Sequence, residues 1–473
     1  MTTKTHLSWS LLRNFGIRFG SVIVFFILAR LLPPEQLGLF AAALVVINFA
    51  EIFSDSGFGD AIAQRQHVTN KLLNTALVIN VLIAAFAFLI LFAFSGFIAA
   101  MINAPESAQL LKYISFGLLI NAVGCSAQAY YRQKMEFKWL AVRSLISMTL
   151  GATVGIVMAF GGAGIWSFVA QFMIAAIANT IIAWVKVPWY PKLQIDNAEV
   201  KKLFKFGKNI ILSKVLEFFA TRSIEIFVIA CFGPATLAVY VMGQKIYSVV
   251  MQLLAAVTLD VMLPTLAKLR GDTKKLQGVF FNAFDNALFL ISPFFVLLAL
   301  NANELTKVVF GENGFGAGNI LFLFSLLGAV QVVTYLNSSL LQSIGKPHIP
   351  TCIVAVKAFF TLGLMMFFDA NSIQEFIQWY VFFSAMASLI TFYYIHKIFD
   401  GFILHAFNSF SRYALVIFFI VLAHFSVEYL DIKMPLLFLL VNNVACITVF
   451  IMMLLIFEKS RLKGILKPYV GDR

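Results

Sequence analysis

Long apolar stretches alternate along the chain with short breaks that contain proline, glycine or charged residues. A helix needs roughly 20 apolar residues to cross a hydrocarbon core of about 30 Å, and nearly every stretch reaches that length. Cutting the chain at the breaks predicts about fourteen transmembrane helices. They cover residues 11–32, 37–56, 72–94, 110–130, 140–160, 165–185, 209–232, 235–263, 279–300, 319–341, 351–368, 376–395, 413–429 and 435–457. The predicted fold class is an all-α polytopic membrane protein.

The composition excludes a water-soluble domain. Of the 473 residues, 61% are hydrophobic and only 12% are charged, whereas a soluble domain carries about 25% charged residues. The medium that surrounds this chain is therefore lipid.

The basic residues predict the orientation of the helices, because Lys and Arg are retained on the cytoplasmic side of short loops. With the N-terminus inside, most of the 35 basic residues fall in cytoplasmic segments, and the outer loops hold only Lys307 and Lys433. Both termini are therefore predicted to be cytoplasmic. The net charge of +13 is then explained by this topology and by contact with anionic membrane lipids, and nucleic acid is not a predicted partner.

A basic segment near the middle of the chain, residues 186–208, predicts a linker that carries a short amphipathic helix at the membrane surface. The motif PEQLGLF that begins at Pro34 is echoed by PATLAVY, which begins at Pro234. Such a parallel repeat is a common plan in transporters. We therefore predict an N-terminal six-helix lobe (1–185), the linker (186–208), a C-terminal six-helix lobe (209–396), and two additional helices with a basic tail (397–473).

Ionisable residues inside a membrane are costly unless they face a cavity or a partner. Arg18 on the first helix and Glu51 on the second are expected at matching depth near the cytoplasmic side, with Asp55 on the face of Glu51. They could form a charged gate or a proton-linked pair, or a static ion pair that joins two helices.

The seventh helix carries four charged residues that share one face, and further charged residues follow on later helices. These residues are Lys214, Glu217, Arg222, Glu225, Lys245, Asp260, Asp285 and Lys357. They predict an internal cavity with more cations than anions near mid-depth. Arg and Lys are suited to phosphate, so the cavity could accept a phosphorylated head group. Mutual neutralisation of Arg222 by Glu217 and Glu225 without a ligand is the alternative.

The sequence contains no motif that indicates catalysis or metal binding. There is no Walker motif, no GxSxG motif and no large outer loop that could hold catalytic carboxylates. The histidines and cysteines are scattered without the spacing of a metal site. We therefore expect neither an enzyme nor a bound metal or organic cofactor.

The run ARLLPPEQLGLFAAALVVINFAEIFSDSGFGDAIAQ, residues 29–64, resembles the first helical hairpin of polysaccharide exporters of the multidrug/oligosaccharidyl-lipid/polysaccharide flippase superfamily. The segment IEIFVIACFGPATLAVYVMGQKI resembles the opening of their second lobe. The branch of O-antigen and colanic-acid exporters is the most similar.

This resemblance implies a V-shaped molecule with two bundles of six helices, two extra C-terminal helices and a cavity that opens alternately to either side. It implies a flippase that moves an undecaprenyl-pyrophosphate-linked oligosaccharide to the outer leaflet of the bacterial inner membrane, for O-antigen, capsule or exopolysaccharide synthesis. It also implies H⁺ or Na⁺ as a coupling ion, with polysaccharide polymerase and glycosyltransferases as further partners. A multidrug exporter of the same fold and an uncoupled lipid scramblase are the alternatives.

For a flippase of this kind, the charged residues are predicted either to bind the substrate or to couple and gate transport. Cations for the substrate are predicted to be Arg18, Arg222, Lys245 and Lys357. Carboxylates for ion coupling or gating are predicted to be Glu51, Asp55, Glu217, Glu225, Asp260 and Asp285.

Overall fold

The computed structural model describes residues 3–55, 57–65, 68–257, 262–367, 372–430, 432 and 434–457. This part of the chain consists of helices joined by turns and short irregular segments, and no strand occurs in it. The predicted all-α fold class is confirmed. The chain forms two compact units, Met1–Val241 and Met242–Arg473.

Helices of the first unit are long and packed side by side. They are α1 (Thr3–Leu31), α2 (Pro34–Asp55), α3 (Phe58–Ala63), α4 (Asn70–Met101), α5 (Ser107–Gln133), α6 (Phe137–Phe160), α7 (Trp166–Trp184) and most of α8 (Asn197–Val257). In this unit α5 packs against α2, α4 and α7, and α6 packs against α1 and α7.

The second unit contains the end of α8 and the helices that follow it. These are α9 (Leu263–Lys268), α10 (Thr273–Asn286), a π turn (Ala287–Ile291), α11 (Ser292–Leu300), α12 (Ala302–Phe310), a 3₁₀ turn (Gly311–Gly314), α13 (Ala317–Ser343), α14 (His348–Phe367), α15 (Ile373–His396), α16 (Phe402–Glu428) and α17 (Pro435–Phe457). Here α13 packs against α11 and α15, and α16 packs against α17.

Twelve helical segments in the described part of the chain are long and apolar enough to cross a membrane. One of them, α8, contains the seventh predicted helix and residues 235–257 of the eighth. The two are separated at Gly233, where φ is 81° and ψ is 179°. Only glycine adopts this conformation readily, and Pro234 follows it. The predicted multi-pass architecture is confirmed. The number fourteen, the lobe boundaries and the cytoplasmic termini stay predictions.

The start of α8 differs from the expected separate surface helix. The chain is helical from Asn197 onward without interruption, because no proline lies between that residue and Gly233. The irregular segment before it is bound to α4: Trp189 Nε1 and the backbone N–H of Lys192 both donate to Asn74 Oδ1, at 2.9 and 3.0 Å.

Apolar side chains cover the outside of the bundle, while polar side chains lie within it. On α4, Phe86 and Phe97 are 67% and 65% exposed, whereas Asn74, Thr75 and Asn80 are buried. Lipid tails are as apolar as leucine, so an exposed phenylalanine has no driving force to move inward. The helices are therefore held together by packing and by internal hydrogen bonds.

Close approach of small residues joins α6 to α7. A Cβ atom at Gly151 would lie 2.6 Å from the carbonyl oxygen of Gln171, and one at Gly155 would lie 2.8 Å from Gln171 Cβ. This Gly-x-x-x-Gly spacing lets two helix backbones meet.

At the N-terminal end of α10, Asp272 accepts a hydrogen bond from the backbone N–H of Lys275 at 3.0 Å, which lowers the pKa of the Asp272 carboxyl.

Candidate functional site

A polar cavity of about 450 Å³ lies in the first unit. Helices α2, α5 and α7 and the first part of α8 form its walls. Its lining consists of Asn48, Glu51, Ile52, Ser54, Leu118, Asn121, Ala122, Gly124, Cys125, Gln128, Asn179, Thr180 and Lys214. A cavity of this size is within the range of about 300–1,000 Å³ that small-molecule sites occupy.

The carboxylate of Glu51 is held in this cavity by an amide. Asn121 Nδ2 on α5 donates a hydrogen bond to Glu51 Oε1 at 3.0 Å. Asn48 shares the cavity with Glu51 because a spacing of three residues places both on one face of α2. One cation, Lys214, lines the same cavity from α8.

An arginine is buried beside this cavity. Arg143 on α6 is 1% exposed. The side-chain amide of Gln128 has one orientation in which both its oxygen and its nitrogen face suitable partners. In that orientation the Gln128 oxygen accepts hydrogen bonds from Nη1 and Nη2 of Arg143, at 3.2 and 2.8 Å. Gln128 therefore links the lining to a buried guanidinium group.

The other side of α2 lines an apolar groove of about 580 Å³. Its walls come from α2, α4 and α8, and its lining includes Val45, Phe49, Phe86, Phe218 and Ile226. The rings of Phe49 and Phe218 pack at 5.2 Å between centroids. Helix α2 thus has a polar cavity on one face and an apolar groove on the other.

A second polar cavity, of about 440 Å³, lies between α13 and α14 in the second unit. Lys357 lines it, and the other lining residues are Gln331, Thr334, Tyr335, Ser338, Ser339, Gln342, Pro350, Thr351, Ile353 and Val354. Lys357 Nζ donates a hydrogen bond to Ser388 Oγ on α15 at 2.9 Å. No carboxylate lies in this lining, and no ion pair of Lys357 occurs within the described ranges.

Asp285 lies at a junction with the C-terminal helices. It is 1% exposed, and its Oδ1 accepts a hydrogen bond from Ser409 Oγ on α16 at 2.6 Å. His405 Nε2 lies 3.1 Å from the same oxygen, and the His405 ring stacks on Phe281. The π turn Ala287–Ile291 begins two residues after Asp285.

The remaining predicted residues have different surroundings. Arg222 forms an ion pair with Glu225 at 2.5 Å one turn along α8, Glu217 is exposed, and Lys245 is half-buried. Asp260 and the side chains of Arg18 and Asp55 lie outside the described residues. The structure thus brings Glu51 and Lys357 into cavities and pairs Arg222 with Glu225.

Sequence reasoning missed the amides that α5 contributes to the first cavity. Asn121 and Gln128 are seven residues apart on α5, with Gly124 and Cys125 between them on the same face. This helical spacing was the available signal, but amides carry no charge and did not stand out among ionisable residues.

Two solved structures share the fold of this chain. The lipid II flippase MurJ, in an inward closed conformation, superimposes with a TM-score of 0.74 at 15% identity, covering 96% of this chain and 100% of that chain. An inward-facing multidrug resistance MATE family transporter of the MOP superfamily superimposes with a TM-score of 0.59 at 15% identity, covering 85% and 98%. The chain therefore shares the fold of these two structures.

Residues 27–314 match the model of a family described as polysaccharide biosynthesis protein, and the chain belongs to this family. It is 25% identical over 369 residues to the succinoglycan biosynthesis transport protein ExoT of Rhizobium meliloti (strain 1021), covering 77% of this chain and 74% of that protein. It is 22% identical over 351 residues to the lipopolysaccharide biosynthesis protein WzxC of Escherichia coli (strain K12), covering 73% and 68%. The predicted resemblance, the role in polysaccharide synthesis and the location in the bacterial inner membrane are confirmed.

Proposed function

We propose that this protein is a flippase that moves an undecaprenyl-pyrophosphate-linked oligosaccharide repeat unit from the cytoplasmic to the outer leaflet, for surface polysaccharide synthesis. One observation carries the proposal beyond family membership: Lys357 lies in a membrane-depth cavity whose lining holds hydroxyls and amides but no carboxylate. A cation placed in such surroundings is costly, so it is expected to serve a function.

A pyrophosphate suits the cavity around Lys357. Phosphate oxygens only accept hydrogen bonds, and lysine binds phosphate as a compact point charge. The hydroxyl groups of Ser338 and Ser339 line the same cavity and can donate further hydrogen bonds to phosphate. The head group is the part of the substrate that cannot cross lipid unaided, because an anion in a medium of low dielectric is strongly destabilised.

The other predicted cations are proposed to bind the same head group. Arg222 is 43% exposed on its side chain although it is paired with Glu225, so an anion can compete with Glu225 for the guanidinium group. Lys245 and Arg18 are retained as cations that bind the same head group at other stages of transport.

Coupling to an ion gradient is assigned to Glu51. Its carboxylate lies in a polar cavity and accepts a hydrogen bond from Asn121, so protonation or Na⁺ binding would change a defined contact. Asp55, Glu217, Glu225, Asp260 and Asp285 remain the other carboxylates considered for this role. The substrate is moved without chemical change, so the proposed protein is not an enzyme.

The two polar cavities are less suited to a multidrug exporter of the same fold. Cationic drugs are bound best between aromatic rings, which attract them by cation–π interaction. The lining of the first cavity contains no aromatic residue, and that of the second contains only Tyr335.

Flipping in proteoliposomes tests the proposal. The purified protein is reconstituted with undecaprenyl-pyrophosphate-linked N-acetylglucosamine, and the lipid that reaches the outer leaflet is labelled with a galactosyltransferase that cannot cross the membrane. We expect protein-dependent flipping that an imposed pH or Na⁺ gradient accelerates. Flipping that ignores both gradients and extends to phospholipids would identify a scramblase, and ethidium transport without lipid flipping would identify a multidrug exporter.

A further inference from the structure

We infer that the polar cavity of the first unit binds an uncharged, hydroxyl-rich sugar ring and thereby selects the glycan that is transported. This inference rests on the proposed flippase function and adds a specificity site to it. The cavity is defined by its amides Asn48, Asn121, Gln128 and Asn179, which come from three different helices.

Amides match sugars because each amide both donates and accepts hydrogen bonds, as each sugar hydroxyl does. A phosphate group only accepts, so an amide oxygen that faces it contributes nothing. The lining contains one carboxylate, Glu51, and one cation, Lys214, so it has no excess of positive charge to attract phosphate, whereas both groups can form hydrogen bonds with hydroxyl groups. The chemistry of this cavity therefore differs from that of the cavity around Lys357.

Two of the amides are available to a ligand. Asn48 on α2 and Asn179 on α7 are half-buried and line the cavity, and the part of the chain that the structure describes provides neither side chain with a hydrogen-bond partner. Polar groups at membrane depth are expected to be satisfied. A ligand with several hydroxyl groups, or water in its absence, would satisfy both.

Other groups of the lining are already held in place. Asn121 donates to Glu51, and Thr180 Oγ1 donates to the carbonyl oxygen of Ile120 at 2.9 Å. These contacts fix the carboxylate and one wall of the cavity before a ligand arrives, which lowers the entropic cost of binding. Apolar side chains such as Ile52 and Leu118 can contact the C–H faces of a sugar ring.

Binding to defined carrier lipids tests the inference. The four probes are undecaprenyl pyrophosphate without a sugar, and the same carrier linked to glucose, galactose or N-acetylglucosamine. Affinities are measured with the full-length protein in detergent from the quenching of tryptophan fluorescence. We expect at least one sugar-bearing carrier to bind about tenfold more tightly than the bare carrier.

The variants separate the sugar site from the rest of the protein. Asn48→Leu with Asn179→Leu preserves approximate side-chain size and should abolish the difference between carriers while the affinity for the bare carrier persists. Asn197→Leu, the same substitution at an exposed position of the first unit, should leave the difference unchanged. If the double variant does not fold, each single variant should reduce the difference, and retained binding of the bare carrier shows that it is folded.

The outcomes distinguish the two proposals. A wild-type protein that flips lipid but binds all four carriers equally contradicts the sugar site alone. A variant that loses affinity for bare and sugar-bearing carriers alike also contradicts it. A wild-type protein that neither binds nor flips any of the four carriers contradicts the flippase function itself.

Discussion

Lys357 on α14 donates a hydrogen bond to Ser388 on α15, with 2.9 Å between Nζ and Oγ. The acceptor is an uncharged hydroxyl whose own proton is donated to the carbonyl oxygen of Ser384 at 2.7 Å. The contact orients the ammonium group without neutralising it. A positive charge is thus positioned in the cavity of the second unit, where an anion can bind.

Removal of this charge should weaken head-group binding. A hydrogen bond to a charged group contributes about 1.5–3 kcal/mol, which corresponds to roughly a ten- to hundredfold change in affinity. We expect Lys357→Met to bind undecaprenyl pyrophosphate more weakly than the wild type by this factor, measured by fluorescence quenching. Lys357→Arg should retain most of it, and Ser388→Ala should have a smaller effect than Lys357→Met. Equal affinity of Lys357→Met and the wild type would remove Lys357 from the site.

Neutralisation of Glu51 should uncouple transport from its driving gradient. Glu51→Gln retains an oxygen that can accept the hydrogen bond from Asn121 but carries no charge and binds no proton. We expect proteoliposomes with this variant to flip lipid at a rate that no longer responds to a pH or Na⁺ gradient. Glu106→Gln, at an exposed position before α5, is the matched control and should respond normally. Persistence of the gradient response in Glu51→Gln would assign coupling to another carboxylate.

The contact of Asp285 with Ser409 should stabilise the packing of α16 against α10. Both side chains are buried, so Asp285→Ala should lower the free energy of unfolding by about 2 kcal/mol and Ser409→Ala by about 1 kcal/mol. Since the two groups share one hydrogen bond, the double variant should lose less than the sum. Denaturation with sodium dodecyl sulfate measures these values, and additive losses would show that the two residues act independently.

The close contact between α6 and α7 should tolerate no side chain at Gly151. A valine there meets the backbone oxygen of Gln171, which cannot move without displacing α7. Overpacking typically costs about 1–3 kcal/mol, so Gly151→Val should lower the melting temperature of the purified protein. At Gly96 on α4 an added Cβ meets nothing within 4 Å. Gly96→Val, with the same change in helix propensity, should therefore melt close to the wild type.

The sequence was sufficient to predict helices and a membrane location because both depend on local composition. Runs of apolar residues of bilayer length have few alternatives. The break at Gly233 was also readable, since Gly followed by Pro interrupts a helix. The continuous start of α8 was not predicted, because its charged residues suggested a surface helix and the sequence does not show where such a helix turns into the membrane.

The candidate site was predictable only in part. Glu51 and Lys357 were identified because a charge inside an apolar run is conspicuous. The burial of Arg143 and the convergence of Asn48, Asn121 and Asn179 depend on which faces of α2, α5, α6 and α7 meet. That arrangement is a property of helix packing, which composition does not encode.

Helix α2 has a polar face with Asn48 and Glu51 and an apolar face with Val45 and Phe49. Rotation about its own axis would carry Glu51 into the apolar groove and Phe49 into the polar cavity. A charge moved to lipid costs several kcal/mol, so such a rotation is opposed from both sides. If transport requires α2 to move, the helix must tilt or slide as a rigid body without rotating about its own axis. A spin label at Phe49 would therefore remain in apolar surroundings throughout the cycle.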